Sequence, residues 1–360
     1  MTKARTNATA TPAVGRNMVI NGAMNVAQRA TSVTGLGAAS GYFTVDRWQI
    51  LSQGTAGRFT MSQTADGPNG ISANCIKLDC TTADTSIAAD ERLVLQHKIE
   101  SQNCQRIGKG VVGAKQITVS FYVKASAAFT FGLEIFQSDH SRQCTKLYST
   151  TTDWVRQEIT FPADVDDGSS PMGDDNGEGI VLQFWLHAGS TYTSGTLNTA
   201  AFANNTNANR AVGIDSFFSS TDNNFFITGV QCEVGPVATE FEQEDITTTL
   251  TKCMRYYEKQ SADNGEYIAV GYNESTSNAR GVIPFKVRKR AAPTMSDSGT
   301  HFAATSTGST GTAADVTFDS VTIDVTRWIL TKNNTTLIDG GASLLSSLAD
   351  GSFVQADAEL

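Results

Sequence analysis

Charged residues, proline and long apolar runs are all scarce in this 360-residue sequence. Asp, Glu, Lys and Arg together make up 18% of the chain, and 7 residues are proline. No apolar run approaches the roughly 20 residues that a membrane-spanning helix needs. Residues 1–13 are polar and lack the apolar core of a secretory signal. We therefore expect a protein that is made in a cytoplasm and does not insert into a membrane.

Basic residues are also in the minority, and the formal net charge is −9. A nucleic-acid-binding surface needs clustered Lys and Arg side chains to neutralise phosphates. The one basic run, residues 286–290, is short and is most simply the solvated end of a strand. The charge distribution thus predicts no nucleic-acid partner.

Familiar catalytic and metal-binding signatures are missing. The sequence has no Gly-X-Ser-X-Gly, no phosphate-binding Gly-X-X-X-X-Gly-Lys and no His-Glu-X-X-His. Its 6 cysteines form no Cys-X-X-Cys pair and no Cys/His ligand spacing, so we expect free thiols. A polysaccharide depolymerase would need two positioned carboxylates. Candidates such as Glu134 and Asp139 are explained equally well as exposed strand residues, so we predict no catalysis.

Period-two alternation of apolar and polar residues recurs along residues 16–243 and predicts β-strands. Connections rich in Gly, Asn and Asp, without helical crossovers, favour an all-β antiparallel sandwich, and a jelly roll is its expected form. The apolar residues that share one side of three such strands are Ile117, Val119, Phe121 and Val123; Phe129, Phe131, Leu133 and Ile135; and Ile180, Leu182, Phe184 and Leu186.

The remaining segments have other patterns. Residues 1–15 are polar and predict a flexible N-terminal arm. Residues 244–264 carry apolar side chains at helical spacing, from Ile246 to Tyr257, and predict a connecting helix. Alternation then returns, so residues 265–360 are predicted to form a second, smaller β-sandwich.

Two segments at the ends of the predicted jelly roll carry a family resemblance. The first reads Asn-Met-Val-Ile-Asn-Gly-Ala-Met-Asn-Val-Ala-Gln-Arg over residues 17–29, and Val-Asp-Arg-Trp follows at residues 45–48. The second reads Ile-Thr-Gly-Val-Gln-Cys-Glu-Val-Gly over residues 227–235. They resemble the opening and closing strands of a carbohydrate-binding-like jelly-roll module found in phage and prophage tail-fibre and other virion proteins.

This resemblance implies a location in a virion, other virion proteins as partners, and a homo-oligomer that in such families is a trimer. It also assigns structural roles to the matched residues. Trp48 is expected to fill the core, and Asp46 and Arg47 to close one end of the sandwich. Asn21 and Gly22 are expected to shape the turn at the first strand.

Strand alternation also predicts a binding face. If Phe121, Phe131 and Phe184 face the core, the residues beside them face outward. Proteins bind sugars through aromatic faces, with amides, carboxylates and hydroxyls at the rim. Alternatively, Trp185 is covered by a loop within residues 189–210 or by a neighbouring subunit. The predicted glycan-binding residues are Trp185, Gln183, His187, Glu134 and Tyr122.

An acidic stretch, residues 164–179, suggests a cation site. Clustered carboxylates with Gly between them offer the several flexible oxygen ligands that Ca²⁺ requires. The spacing is not that of an EF-hand, and a solvated acidic loop is the simpler alternative. Carbohydrate-binding jelly rolls often carry a structural calcium, so the resemblance implies one without assigning its ligands. The candidate calcium ligands are Asp166, Asp167, Asp174 and Asp175.

These observations predict a phage virion structural protein of the tail-fibre, adhesin or baseplate-appendage type. It would bind a host-surface polysaccharide without covalent chemistry. The sequence has no long heptad run and no β-helix repeat, which favours a compact knob over a fibrous shaft. Two alternatives stay open: a head or tail decoration protein without a receptor role, and a tailspike-like polysaccharide depolymerase.

Overall fold

The computed structural model describes residues 15–165, 171–299, 302–306, 309–310, 314, 316–331 and 337–360. The chain divides into two units, Met1–Ile246 and Thr247–Leu360, which we call unit 1 and unit 2. Except for Gly15, the predicted N-terminal arm lies outside the described residues. In the part of the chain that the structure describes, no helix is long and apolar enough to cross a bilayer.

Unit 1 is a sandwich of two antiparallel sheets. Sheet A contains β1 (Ser32–Leu36), β4 (Arg58–Thr64), β5 (Cys75–Thr82), β7 (Ile117–Ala125), β10 (Val155–Phe161) and β13 (Asn224–Val234), in the order β1-β4-β5-β13-β7-β10. Sheet B contains β2 (Gly41–Tyr42), β3 (Trp48–Gln53), β6 (Arg92–Glu100), β8 (Thr130–Gln137), β9 (Arg142–Ser149), β11 (Glu178–Ala188) and β12 (Ala203–Asn204), in the order β12-β9-β8-β11-β6-β3-β2. A short helix, α1 (Ser190–Thr193), follows β11. The predicted all-β antiparallel jelly-roll sandwich is confirmed.

The core of unit 1 lies between the two sheets, where the alternating apolar side chains meet. Phe121 of β7 and Phe184 of β11 are fully buried, with their rings edge-to-face at 5.1 Å between centroids. Trp48 is also fully buried, 6.1 Å from Phe184, so its predicted core position is confirmed. Each such aromatic pair contributes about 0.5–1.5 kcal/mol beyond the burial of its area.

Polar side chains attach the irregular opening segment, residues 15–31, to the closing strand β13. The Asn17 side chain accepts a hydrogen bond from Cys232 N at 3.0 Å and donates one to Val230 O at 3.1 Å. A Cβ atom at Gly22 would lie 2.1 Å from Val230 O, so glycine is required for this approach. The two segments that carry the family resemblance therefore lie side by side.

Asn21 organises the turn that follows. Its backbone is in the left-handed region, with φ 59°, and its side chain is buried. Nδ2 donates to Val26 O at 2.9 Å and to Asp46 O at 3.0 Å. Oδ1 accepts from the amides of Asn25 and Val26 at 2.9 and 3.0 Å. This one side chain thus satisfies backbone groups that have no strand partner, as buried backbone groups require.

Asp46 and Arg47 close the end of the sandwich beside this turn. Both are fully buried. Asp46 accepts hydrogen bonds from the backbone and side-chain amides of Gln28 at 2.9 and 2.5 Å. Arg47 donates from Nη2 to Lys98 O at 2.7 Å. Their predicted structural role is confirmed.

Replacing the Asn21 side chain should cost about 3 kcal/mol of unfolding free energy in an Asn21→Ala variant. The change leaves buried backbone groups unsatisfied and places alanine in a left-handed conformation. Chemical denaturation measures the loss. Asn205→Ala, at an exposed asparagine of unit 1, is the matched control and should change stability by less than about 0.5 kcal/mol. Equal stabilities of the two variants would contradict this role for Asn21.

A buried histidine lies next to the opening segment. The His97 ring is 5.2 Å from the Trp48 ring, and its Nε2 lies 3.2 Å from Ile20 N and 3.1 Å from Ile20 O. Burial, helped by the positive charge of Arg47, lowers the pKa of His97 well below its usual range. The ring is therefore neutral in the folded protein at neutral pH.

This histidine makes the stability of unit 1 dependent on pH. The unfolded chain binds the proton near pH 6.5 and the folded chain does not, so the stabilisation is present above about pH 6.5 and is lost as the pH falls. We expect the denaturation midpoint to fall between pH 7.5 and 5.5, and to fall less in His97→Gln. His140→Gln, at an exposed histidine, should retain the wild-type slope. A His97→Gln slope as steep as the wild type would disprove the assignment.

All 6 cysteines are buried and free. Burial raises the pKa of Cys80 to about 11 and that of Cys104 to about 12. Since the thiolate is the reactive form, these thiols are unreactive at neutral pH.

Unit 2 contains two antiparallel sheets and all but the first residue of helix α2 (Ile246–Met254). The smaller sheet consists of β14 (Tyr257–Ala262), β17 (Thr294–Asp297) and β23 (Ser352–Asp357), in the order β14-β23-β17. The larger consists of β15 (Tyr267–Asn273), β16 (Asn278–Pro284), β18 (Phe302–Ser306), β19 (Ser309–Thr310), β20 (Thr317–Asp319), β21 (Val325–Thr331) and β22 (Ala342–Ser347), in the order β19-β18-β22-β15-β16-β21-β20.

A tryptophan dominates the core of unit 2. The Trp328 side chain is fully buried on β21. Gly271 and Gly281 are register partners on β15 and β16. A Cβ atom on either would lie within 2.7 Å of the indole. The two glycines therefore provide the space in which this ring packs across the strands.

The prediction of a connecting helix over residues 244–264 is wrong for the second half of that range. Helix α2 ends at Met254, and Tyr257–Ala262 form β14. Every residue of β14 pairs with β23, so ladder hydrogen bonds from a distant part of the chain override the helical spacing of Tyr257.

Candidate functional site

The predicted glycan-binding residues are divided between the two faces of unit 1. Gln183, Trp185 and His187 lie on β11 and Glu134 lies on β8, all in sheet B. Tyr122 lies on β7 in sheet A. The first four share the outer face of sheet B, whereas Tyr122 is on the opposite side of the sandwich and cannot join them.

Trp185 does not face solvent, and the prediction that it does is wrong. Its side chain is fully buried beneath residues 189–216, which we call the covering segment. The Tyr192 ring lies 5.2 Å from the indole, and the Arg210 guanidinium lies 5.0 Å from it. The alternative left open by the sequence, that a loop from residues 189–210 covers Trp185, is what the structure contains. No sugar can stack on this ring while the segment is in place.

An ion pair attaches the covering segment to sheet B. Arg210 Nε donates to both carboxylate oxygens of Glu134, at 3.0 and 3.2 Å, and Nη2 donates at 3.1 Å. Trp185 Nε1 donates to the same carboxylate at 2.6 Å. Arg210 Nη2 also donates to Gln183 Oε1 at 2.6 Å, and Gln183 Nε2 donates to Gln96 Oε1 at 2.7 Å. These side chains form a buried network in which they hydrogen-bond to one another, so their role is structural.

His187, the remaining predicted residue on β11, is also fully buried. Its Nδ1 lies 2.8 Å from Ser216 Oγ and its Nε2 lies 3.2 Å from Glu91 Oε2. Burial lowers the pKa of His187, and the neighbouring Glu91 opposes that shift. His187 therefore belongs to an internal cluster and is not presented to an external sugar.

Accessible aromatic side chains lie on the outer face of sheet A. Phe226 on β13 pairs with Lys77 on β5 and Lys124 on β7, and Trp154 precedes β10. We call Lys77, Phe226, Lys124 and Trp154 the aromatic row; all four are half-buried. Lys124 Nζ lies 4.8 Å from the Phe226 ring centre and 5.1 Å from that of Trp154. Lys77 Nζ lies 5.7 Å from the Phe226 ring centre.

The aromatic row is held in place by the loop between β4 and β5. Lys124 Nζ lies 2.7 Å from Asp66 Oδ2, and Trp154 Nε1 donates to Asp66 O at 3.0 Å. Both ring and ammonium positions are therefore set by a single loop residue. The row is preorganised for binding, which reduces the entropy lost when a ligand is bound.

An open cleft of about 600 Å³ adjoins the aromatic row. Asn25, Asn69, Ser72 and Gln243 contribute polar groups to its lining, and Ile71 contributes an apolar one. We call it the loop cleft. Hydrogen bonds fix the loop, since Gln243 Nε2 donates to Ile71 O at 2.7 Å and Ser72 Oγ donates to Ala23 O at 2.6 Å.

Gly229 connects the cleft to Tyr122. A Cβ atom at Gly229 would lie 2.8 Å from Ile71 Cγ2 and 2.9 Å from Tyr122 Cδ2, so both side chains pack on this glycine. Half-buried Tyr122 is thus placed beside the loop cleft, on the same face as the aromatic row.

The sequence signal for this face was present but incomplete. Alternation that turns Phe121 inward turns Tyr122 and Lys124 outward. The same rule applied to the adjacent residues Phe225 and Phe226 directs one of them to each face. Trp154 lies outside the regular strand, so alternation does not locate it.

The structure brings few of the predicted calcium ligands together. Asp166 and Asp167 lie outside the described residues. Asp174 and Asp175 are exposed, and Asp175 Oδ1 accepts a hydrogen bond from Gly177 N at 2.8 Å. The calcium site therefore stays a prediction. Among the described residues, the group of three whose ligating atoms lie within 4.8 Å of one another is elsewhere, at Asp84, Glu91 and His187.

Comparisons with known proteins leave the family of this chain open. No family model matches the sequence, and no curated protein matches it. A CBM4 structure shares 12% identity with a TM-score of 0.31, covering 60% of this chain and 99% of its own. TmCBM61 in complex with β-1,4-galactotriose shares 10% identity with a TM-score of 0.29, covering 61% of this chain and 99% of its own.

A family 11 carbohydrate-binding module from Clostridium thermocellum, in complex with a β-1,3-1,4-mixed-linked tetrasaccharide, is a third similar structure. It shares 12% identity with a TM-score of 0.28, covering 58% of this chain and 98% of its own. All three TM-scores are below 0.5, so we infer no ligand and no function from them. The resemblance to phage virion modules stays a prediction from the sequence.

Loss of the Arg210 side chain should release the covering segment. In Arg210→Ala the buried Glu134 carboxylate loses its cation, which should cost about 3–5 kcal/mol of unfolding free energy. Amide hydrogen exchange in residues 189–216 should become faster. The double variant Glu134→Gln with Arg210→Ala removes the uncompensated charge and should be more stable than Arg210→Ala alone. A cost below about 1 kcal/mol would show that Arg210 does not anchor the segment.

Proposed function

We propose that this protein is a phage virion component of the tail-fibre, adhesin or baseplate-appendage type that binds a host-surface glycan without catalysis. The observation that supports binding is the aromatic row with the loop cleft beside it. Half-buried Trp154 and Phe226 offer ring surface to a ligand, and Lys124 lies between them. The outer face of sheet B is occupied by the covering segment, which leaves sheet A as the binding face of the proposal.

The chemistry of this face suits a sugar chain. Aromatic rings pack against the C–H surfaces of pyranose rings, and the polar rim supplies hydrogen bonds to hydroxyls. Lys77 is paired with Asp79 at 3.0 Å and Lys124 with Asp66 at 2.7 Å, so each ion pair places N–H donors and carboxylate acceptors at the rim. The loop cleft adds amide and hydroxyl groups at one side.

The virion part of the proposal rests on the resemblance of the opening and closing segments to phage modules. The two segments are connected through Asn17 and β13, which supports interpreting them as one module. Assembly as a homotrimer with other virion proteins is part of the same proposal. Several copies of a weak site on one particle would then give tight attachment, because binding at one site raises the effective concentration of the glycan at the others.

Binding by the purified protein to host cells and to a glycan array tests the proposal. We expect saturable binding that weakens about tenfold or more in the double variant Trp154→Ala with Phe226→Ala, since both ring surfaces are lost. Circular dichroism and the denaturation midpoint check the fold, and light scattering measures the oligomeric state.

Tyr42→Ala is the matched control for this experiment. Tyr42 is a half-buried aromatic residue of unit 1 with the Arg29 guanidinium 5.2 Å from its ring, but it lies on β2 at the edge of sheet B. Its replacement should leave binding unchanged. Full binding by the folded double variant would contradict the use of the aromatic row. Absence of binding by the folded wild-type protein would contradict the adhesin function itself.

Decoration of the particle is the second candidate function, and an exposed face of unit 2 favours it. Tyr267, Val270, Tyr272 and Val282 are each about half exposed or more, on the neighbouring strands β15 and β16. Exposed apolar faces of this kind mark contacts with other proteins. A decoration protein would bind its particle without binding host cells, so the cell-binding experiment separates the two functions.

A further inference from the structure

A cluster of metal-ligating side chains lies inside unit 1 at one end of sheet B. Asp84 follows β5, Glu91 precedes β6, and His187 is near the end of β11. Their side chains come from separate parts of the sequence, and all three residues are buried. The cluster has no part in the glycan-binding face proposed for sheet A.

The spacing of the ligating atoms suits a single ion. One nitrogen of His187 and one carboxylate oxygen from each of Asp84 and Glu91 all lie within 4.8 Å of one another. His187 Nε2 and Glu91 Oε2 are 3.2 Å apart. Ligands bound about 2.0–2.2 Å from a common tetrahedral Zn²⁺ are about 3.4 Å apart, which the His187–Glu91 pair matches; the Asp84 oxygen would move toward the ion on binding.

The orientation of His187 points its second nitrogen into the cluster. Ser216 Oγ lies 2.8 Å from Nδ1 and accepts another hydrogen bond from Phe218 N at 3.1 Å. When Nδ1–H donates to Ser216, Nε2 carries the lone pair and faces the Glu91 carboxylate. Metal-binding histidines are held in this way by a partner on the other ring nitrogen. In this tautomer Nε2 can coordinate a metal ion shared with the Glu91 carboxylate, whereas in the other tautomer Nε2–H donates to Glu91 directly.

The two carboxylates of the cluster lie against hydrogen-bond donors and an imidazole. Asp84 Oδ2 accepts hydrogen bonds from Thr55 Oγ1 at 2.8 Å and from Ala56 N at 2.7 Å, and these donors favour the ionised carboxylate. Among the described residues, no Lys or Arg forms an ion pair with Asp84 or Glu91.

Two other buried carboxylates of this protein have a basic partner, whereas buried Glu233 is held by hydrogen bonds from Thr239 and Gln231. Glu134 is paired with Arg210 at 3.0 Å, and Glu258 of unit 2 is paired with Lys289 at 2.6 Å. Buried carboxylates without such a partner are costly unless a proton or a metal ion supplies the positive charge. At the cluster, two buried carboxylates share one imidazole, so a bound cation would add favourable charge there.

We propose that Asp84, Glu91 and His187 bind one divalent transition-metal ion, with Zn²⁺ as the best fit, and that Ser216 orients His187. Zn²⁺ accepts one imidazole and two carboxylates in a four-coordinate site, with a water as the fourth ligand. Ca²⁺ requires six to eight oxygen ligands and fits this set poorly. The ion would connect both ends of the β5–β6 connection to β11 and, through Ser216, to the covering segment.

Zinc titration of untagged, chelator-treated full-length protein tests the inference. We expect one Zn²⁺ per chain by calorimetry and elemental analysis, and a rise of the melting temperature with Zn²⁺ that Ca²⁺ does not produce. Co²⁺ added in place of Zn²⁺ should give the visible absorption of a four-coordinate site. Saturating folded protein with Zn²⁺ and finding no stoichiometric binding would overturn the proposal.

Variants locate the site. Glu91→Gln keeps the size of the side chain and removes a ligand charge, so affinity for Zn²⁺ should fall by about tenfold or more while the fold is retained. His187→Gln should abolish the Co²⁺ absorption. His140→Gln, at an exposed histidine, is the control and should bind as the wild type does. Wild-type affinity in folded Glu91→Gln would place the ion elsewhere and reject this cluster.

Discussion

Closure of unit 1 depends on side-chain amides that satisfy a segment with no strand of its own. Residues 15–31 run irregularly beside β13, where backbone hydrogen bonds such as Met18 N to Cys232 O at 2.9 Å satisfy part of the segment and side-chain amides satisfy further groups. Asn17 connects this segment to the backbone of Val230 and Cys232, and Asn21 connects it to the chain before Trp48. Trp48 Nε1 in turn donates to Asn21 O at 3.3 Å. The hydrogen-bonded turn at Asn21 and the aromatic core are therefore directly connected, because the buried Trp48 indole donates to the backbone of that turn.

The two outer faces of the sandwich differ in solvent exposure, and one ion pair is central to that difference. Arg210 and Glu134 attach the covering segment over sheet B, where Trp185 becomes part of a second small core with Tyr192 and Val94. On sheet A, the aromatic side chains of Phe226 and Trp154 remain half-buried at the surface. A face that is filled by the protein's own chain contributes stability, whereas an open face with ordered rings can bind something else. The proposed function follows from this asymmetry.

Buried carboxylates of unit 1 have two kinds of surroundings. Glu134 has a guanidinium beside it, whereas Asp84 and Glu91 have an imidazole and hydrogen-bond donors. The inferred metal ion would complete the second arrangement. Through Ser216 and His187, it would also give the covering segment a second attachment to sheet B, besides the one made by Arg210. The glycan and metal proposals involve different faces, and neither requires the other.

The sequence by itself determined the strands, the inward side chains and the all-β class. Period-two alternation records which side of a strand each residue occupies, and Phe121 and Phe184 lie in the core as it indicates, while the core position of Trp48 was implied by the family resemblance. It also directed Trp185 away from that core correctly. What lies on the outward side was decided by tertiary structure, because residues 189–216 have no periodicity that relates them to sheet B. The meeting of Asp84, Glu91 and His187, and the line of Phe226 with Trp154, likewise depend on strand order and loop paths. These arise from contacts between residues distant in sequence, which local spacing does not encode.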